Sequence, residues 1–198
     1  DHMLESSLGY FINPLLNILL GMLFLGETLR RWQWLAVALA VSGVLLQIIT
    51  LGVFPWIALS LASSFAVYGL IRKKIAVDSL TGLLVETVML TPIAAWYLFF
   101  HADTATSHLS QNAMTLNLWL LAAGIITTVP LLCFTAGAKR LRLSTIGFFQ
   151  YIGPSLMFIF AVTLYHEPIV WQKWLTFILI WSALALFSWD ALRHSRQN

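Results

Sequence analysis

Seven apolar runs leave this chain few folds. Residues 8–25, 34–51, 54–71, 80–100, 116–138, 146–165 and 169–189 are each close to the ~20 helical residues that cross about 30 Å of hydrocarbon. None alternates polar and apolar with the period of two that a membrane strand requires, so closed barrels are excluded and a helical bundle remains. Composition agrees: 60% of the 198 residues are hydrophobic and 10% charged, against roughly half and a quarter in soluble domains. The expected fold class is an all-α polytopic membrane protein with seven transmembrane helices. The connectors are short, apart from residues 101–117, read as an external loop or surface helix.

Lysine and arginine set the orientation. Arg30 and Arg31 follow the first run, Arg72, Lys73 and Lys74 the third, Lys139, Arg140 and Arg142 the fifth, and Arg193 and Arg196 the seventh. Ten of the eleven basic residues thereby fall on one side, with Lys173 alone on the other. Cytoplasmic connectors carry this excess, so the first run should enter from outside and the C-terminus should be cytoplasmic. A net charge of +3 distributed in this way marks topology and not a nucleic-acid surface. Cys133 is the single cysteine, which excludes an internal disulfide.

A shift of 140 residues lays the opening of the chain over its end. Ile12, Pro14, Leu16, Glu27 and Trp34 fall on Ile152, Pro154, Leu156, Glu167 and Trp174, and Leu35, Leu39, Ser42 and Leu46 fall on Leu175, Leu179, Ser182 and Leu186. Pro, Glu and Trp at fixed spacing carry more weight than leucine matches, and together they indicate an internal repeat. Five crossings separate the copies, an odd number, so they point in opposite directions, as in the inverted repeats of secondary transporters. If the second unit has five runs, the first should too, and three are missing here. The expectation is therefore a ten-helix, inverted 5+5 bundle of which this chain is an N-terminally truncated part; a cloning scar at the Asp-His-Met start would look the same. The expected domains are residues 1–52, the last two helices of the first repeat, 53–192, a complete second repeat, and 193–198, a cytoplasmic tail.

The blocks SLGYFINPLLNILLGMLFLGETLRRWQWLAVALAVSGVLLQ, GLLVETVMLTPIAAWYL and LRLSTIGFFQYIGPSLMFIFAVTLYHEP closely resemble the EamA family of the drug/metabolite transporter superfamily, over essentially the whole chain. That resemblance implies an inner-membrane permease of two inverted five-helix repeats, with the present runs matching its fourth to tenth helices.

Polar residues at membrane depth are the candidate functional groups. Glu86 lies eight residues beyond Asp78, about 12 Å along a helix, where an acidic residue costs on the order of 2.5–3.5 kcal/mol and so should face a cavity or partner. It is read either as a proton-coupling or solute-contacting carboxylate or as a packing glutamate bonded to a neighbouring helix. The second group surrounds the prolines of runs one and six: Tyr10, Asn13, Pro14 and Asn17 correspond to Gln150, Gly153, Pro154 and Met157, with Tyr151 adjoining. Each proline deprives the carbonyl four residues earlier of its helix bond, so a break in both helices, with freed carbonyls and amides binding a solute, stands beside a kink that only shapes the bundle. Glu5, Ser6 and Ser7 sit at the outer mouth, more as a loop than a vestibule. Thr127, Thr128 and Pro130 form a third helix-break cluster, with the hydroxyls expected to bond back to their own helix. Glu27 and Glu167 are expected at membrane boundaries, facing helix N-termini in a structural role. Tryptophans at 32, 34, 56, 171, 174 and 189 read as interfacial anchors.

No enzyme motif appears. HEP at 166–168 lacks the second histidine of HExxH, and no phosphate-cradling GxxxxGK[ST] occurs, so a non-enzyme without cofactor or metal is expected, with proton or other ion coupling left open. The expected partners are the lipid bilayer and a small-molecule solute, without nucleic acid, and a homodimer is left open. The leading function is a gradient-driven transporter of small metabolites or drug-like solutes, exporting by alternating access. The alternative is a polytopic scaffold without transport, or an inert remnant.

Overall fold

A computed structural model describes residues 2–52, 54–102, 110, 112–164 and 170–195. Among them are eight α-helices and no strand: α1 (His2–Leu25), α2 (Arg31–Leu51), α3 (Trp56–Lys74), α4 (Ser79–Phe100), α5 (Met114–Arg140), α6 (Leu143–Gln150), α7 (Ile152–Thr163) and α8 (Trp171–Ser195). Each of the seven apolar runs is thus helical, and the sixth is divided at Tyr151 into α6 and α7. Five spans are long and apolar enough to cross a membrane: α2, α4, α5, the combined α6–α7 and α8. The apolar part of α1, Gly9–Leu25, is shorter. In α3 the last turn is Arg72, Lys73 and Lys74, which confines its apolar part to residues 56–71.

The chain forms two compact units, residues 1–71 with 141–198, and residues 72–140. In the first, α2 lies along α8 and α1 along α6. The α2–α8 pair packs through small residues. Ala36 and Ala40 face a surface that includes Thr176, Ile180 and Ala183, and all five are fully buried. A side chain on Gly43 would begin 3.2 Å from Thr176 O, so glycine allows the backbones this approach. Ala36 with Thr176, and Ala40 with Ile180, are pairs related by the 140-residue shift. The same helix face is buried in both copies.

Glycines end two helices. Gly26 (φ 63°) and Gly52 (φ 73°) hold left-handed backbone that suits glycine at a helix C-terminus, and Gly52 N–H returns to Ile48 O and Ile49 O. α2 begins where Gln33 Oε1 accepts from Arg30 N at 3.0 Å. An aromatic core joins the elements: Phe158 stacks on Phe177 with centroids 4.0 Å apart, and Phe148 on Phe187 at 3.9 Å. Trp181 Nε1 donates to Ser155 Oγ at 3.0 Å, so the half-buried indole is satisfied.

The second unit holds the basic end of α3 together with α4 and α5. Lys73 Nζ donates to Ala138 O and Lys139 Nζ to Ile75 O, each at 3.0 Å, so each lysine satisfies carbonyls of the opposite segment. Asp78 caps α4 by accepting from Thr81 N at 2.9 Å. Outward faces of α4 and α5 are apolar, with Ile93, Phe99, Trp119 and Ile125 exposed. That is the pattern of a surface solvated by lipid and not by water.

Candidate functional site

A cavity of about 510 Å³ opens in the first unit between α1, α3 and the α6–α7 break. Gly9, Tyr10 and Asn13 line it from α1, Leu61, Ser64 and Phe65 from α3, and Gln150, Gly153 and Pro154 from the break. No carboxylate, amine, guanidinium or imidazole is among its lining residues. The amides and a hydroxyl can hydrogen-bond, and Tyr10 and Phe65 offer aromatic surface, a combination typical of small-molecule sites.

Local sequence explains the opening. Pro154 cannot donate to Gln150 O, and Tyr151 N–H reaches back to Phe148 O at 3.2 Å in a tightened turn. Tyr151 itself is fully buried, and its hydroxyl donates to Phe11 O at 3.2 Å. Phe11 and Tyr151 are also 140 residues apart. Asn17, fully buried, donates from Nδ2 to Gln150 Oε1 at 2.6 Å. The buried oxygens Asn13 Oδ1 and Asn17 Oδ1 have no protein partner among the described residues, and an unsatisfied acceptor is costly unless a donor reaches it.

The sequence-derived candidates therefore sort into groups. Tyr10, Asn13, Gln150, Gly153 and Pro154 line one cavity, and Asn17 and Tyr151 support it from behind. The expected break in both copies occurs in one only. α1 runs unbroken through Pro14, as α5 does through Pro130, because one missing bond is tolerated where the flanking ladder continues. Gly153 together with Pro154 accompanies the interruption at Tyr151. Thr127 and Thr128 donate to Ala123 O and Gly124 O, the back-bonding expected of hydroxyls in an apolar helix.

Glu86 belongs to the second unit, and its carboxylate stands 3.5 Å from Arg72 Nη1. Arg72, read from sequence as a topology residue, is only 2% exposed, and its Nη2 donates to Ser79 O at 2.8 Å. A side chain on Gly82 would overlap the guanidinium, so the glycine one turn before Glu86 makes the pairing space. The packing reading of Glu86 has a named partner. Glu27 caps a helix N-terminus as expected, but that of α6 and not of the following α2: it accepts from Leu143 N at 2.6 Å and from Ser144 N at 2.9 Å. Glu167 and the side chains of Glu5, Ser6 and Ser7 lie outside the described residues.

Sequence reasoning passed over Asp190. It is 1% exposed, bonded to Arg30 at 2.9 Å, with His194 Nδ1 at 3.7 Å. An acidic residue at the end of the seventh run, with arginine after it, was the available signal.

Comparison with known proteins supplies the family. The model of the EamA-like transporter family matches residues 54–189. The chain belongs to the EamA-like transporter family. Protein RarD of Salmonella typhi is 66% identical to it over 197 residues, covering 100% of this chain and 67% of that protein. Protein RarD of Escherichia coli K12 is 65% identical over the same coverage, and an uncharacterized transporter of Vibrio cholerae is 59% identical over 98% of this chain and 64% of that one. The chain thus spans about two thirds of the length of these EamA relatives. As an EamA protein with five apolar spans among its described helices, it is a multi-pass membrane protein of a transporter family.

Proposed function

We propose that this chain carries the solute site of a gradient-driven secondary transporter in a bacterial inner membrane, with the C-terminus cytoplasmic. The observation that carries the reading is the uncharged cavity at the α6–α7 break, walled by Asn13 and Gln150 and backed by an unpartnered amide oxygen on Asn17. Broken helices that line a cavity are the usual solute sites of such proteins, because irregular backbone at membrane depth persists only where it is buried or faces a cavity. Small metabolites or drug-like molecules with hydrogen-bond donors and an apolar or aromatic part fit this lining. A relative from Pseudomonas aeruginosa bears the name chloramphenicol-sensitive protein RarD, which makes chloramphenicol a reasonable member of a test panel.

Alternating access is the mechanism the repeat supports, with export as the proposed direction: residues 1–52 and 53–192 are read as parts of two inverted units that exchange the cavity between the two sides. The test is flux in proteoliposomes with protein expressed from its complete reading frame, over a panel of amino acids, sugars and amphenicols. Saturable flux of at least one solute, lost in Asn13→Ala/Gln150→Ala, is expected. Flux at the empty-vesicle level across the panel would support a scaffold instead.

A further inference from the structure

The seam between α1 and α6 ends in a carboxylate clasp. Glu27, with its side chain 7% exposed, accepts from Leu143 N, Ser144 N and Ser144 Oγ at 2.6, 2.9 and 2.7 Å. Local sequence is arranged to put it there. Gly26 turns the chain in left-handed backbone, and Glu27 N–H bonds to Gly21 O at 3.1 Å. A Cβ on Gly21 would stand 2.8 Å from Glu27 Oε2, so α1 carries a glycine at the position the carboxylate fills. Arg142 stands 3.9 Å from the same oxygen and donates to Thr28 O.

The contacts of this antiparallel pair run in order. After Glu27 come Gly21 against Leu143, then Ile18 and Pro14 against Gly147, Asn17 with Gln150, and Phe11 with Tyr151. The cavity residues Asn13, Tyr10 and Gly9 lie at the far end of this series, roughly 18–24 Å along α1 from its C-terminus. Among the described residues, the contacts between cavity and clasp are van der Waals approaches and neutral hydrogen bonds; the charge-assisted bonds, the stronger kind, are those of Glu27.

We propose that Glu27 is the latch of a gate: the cavity opens toward the arginine-bearing end of α1 and α6 when Glu27 leaves Leu143 and Ser144. Its purpose rests on the transporter reading, although its test does not. The location suits a reversible bond. The first amides of α6 are groups that water satisfies when no side chain does, and Arg142, 43% exposed, shows that this end meets solvent. Release there replaces the carboxylate by water, whereas the same break at membrane depth would leave bare amides.

Accessibility of the cavity from each side tests the latch without any solute. In a Cys133→Ser background, Ser64→Cys reports from the α3 wall to a membrane-impermeant thiol reagent, and a separate Arg31→Cys protein identifies the vesicle orientation that exposes the arginine-bearing side. From that side, Ser64→Cys should label slowly with Glu27 intact. Glu27→Ala should raise the rate by about tenfold or more, the scale of one charge-assisted bond. Glu27→Gln, which keeps one acceptor, and Ser144→Ala, which removes one donor of three, should raise it less, in that order. Equal rates in all four proteins would overturn the proposal. Should Glu27→Ala fail to fold, the two milder variants decide it: faster labelling supports the latch and unchanged labelling refutes it. A gate that opens in a protein without solute flux would separate the latch from the transporter reading.

Discussion

Along α2 and α8 the buried residues are Gln33, Ala36, Ala40, Gly43 and Val44 with Thr176, Phe177, Ile180, Ala183, Phe187 and Asp190; along α1 and α6 they include Asn17, Ile18 and Pro14 with Leu143, Ser144 and Gly147. Both pairs join segments of the two sequence copies. Among the described residues the first is tied by a hydrogen-bonded ion pair at one end, Arg30 with Asp190; the second is stitched along its length by Glu27, Asn17 and Tyr151. Close packing of small residues has one good arrangement and fails steeply when opened. Hydrogen bonds at a water-facing helix end can be exchanged for water one at a time. On the proposed gating, α2–α8 is the fixed frame and α1–α6 the part that moves.

The strongest way to break this comparison is to overfill the frame. Gly43→Leu would force a side chain against Thr176 O and Ile180 Cγ1, already 3.2 and 3.3 Å from a Cβ, and should cost about 1–3 kcal/mol or more. Thermal unfolding in detergent would show a large fall, and an unchanged melting temperature would contradict a rigid α2–α8 pair. Next in size is the tie at its end. Arg30→Ala leaves Asp190 buried without its guanidinium, a loss of about 1–3 kcal/mol. Asp190→Ala should cost less, because Arg30 is 39% exposed and turns to water. The same melts check the order, and the reverse order would mean that His194 is the partner that matters.

Smaller again is Asn17→Ala, which removes a neutral bond to Gln150 worth about 0.5–1.5 kcal/mol. It should change solute affinity more than stability, sharpening the contrast between seam and frame, and equilibrium binding beside a melt distinguishes the two effects. The smallest effect falls outside both pairs. Hydrogen bonds from the Thr81 side chain and backbone hold Asp78 below its ordinary carboxylate range. A depressed folded value contributes stability that is present above the unfolded pKa of about 3.9 and is lost as pH falls through the folded one. Far-ultraviolet circular dichroism should therefore show the α4 end loosening only below that range, and Asp78→Asn should remove the pH dependence.

Particular residues show what was legible before any coordinates. The apolar runs were, since a membrane span is written along one continuous stretch and needs no partner to be seen. The cavity wall was legible too, through Tyr10, Asn13, Gln150 and Pro154. At Pro14, where a break and a kink stand side by side as readings, α1 is continuous, because a single proline removes one bond of a ladder and the neighbouring turns hold. Glu27 was placed at a helix N-terminus from its setting before Thr28, but which helix depended on how Gly26 turns the chain, and α6 lies more than a hundred residues away in sequence. Arg72 and Asp190 were hidden for the same reason. A buried ion pair is a property of two distant positions, and only Gly82, one turn from Glu86, left a local trace of the first.

The most direct measurement compares flux with each helix pair locked. A Cβ on Gly21 would lie 3.3 Å from Leu143 Cβ, and one on Gly43 3.5 Å from Leu179 Cβ, both near disulfide reach. In a Cys133→Ser background, Gly21→Cys/Leu143→Cys and Gly43→Cys/Leu179→Cys are oxidised, and solute flux in proteoliposomes is compared with that of the same protein reduced, because a Cβ on Gly21 by itself displaces the Glu27 carboxylate. Flux abolished by the α1–α6 lock and restored by reductant, with the α2–α8 lock having no effect, is the predicted result. Full flux through a protein locked at α1–α6, or loss on locking α2–α8, would contradict the division into seam and frame.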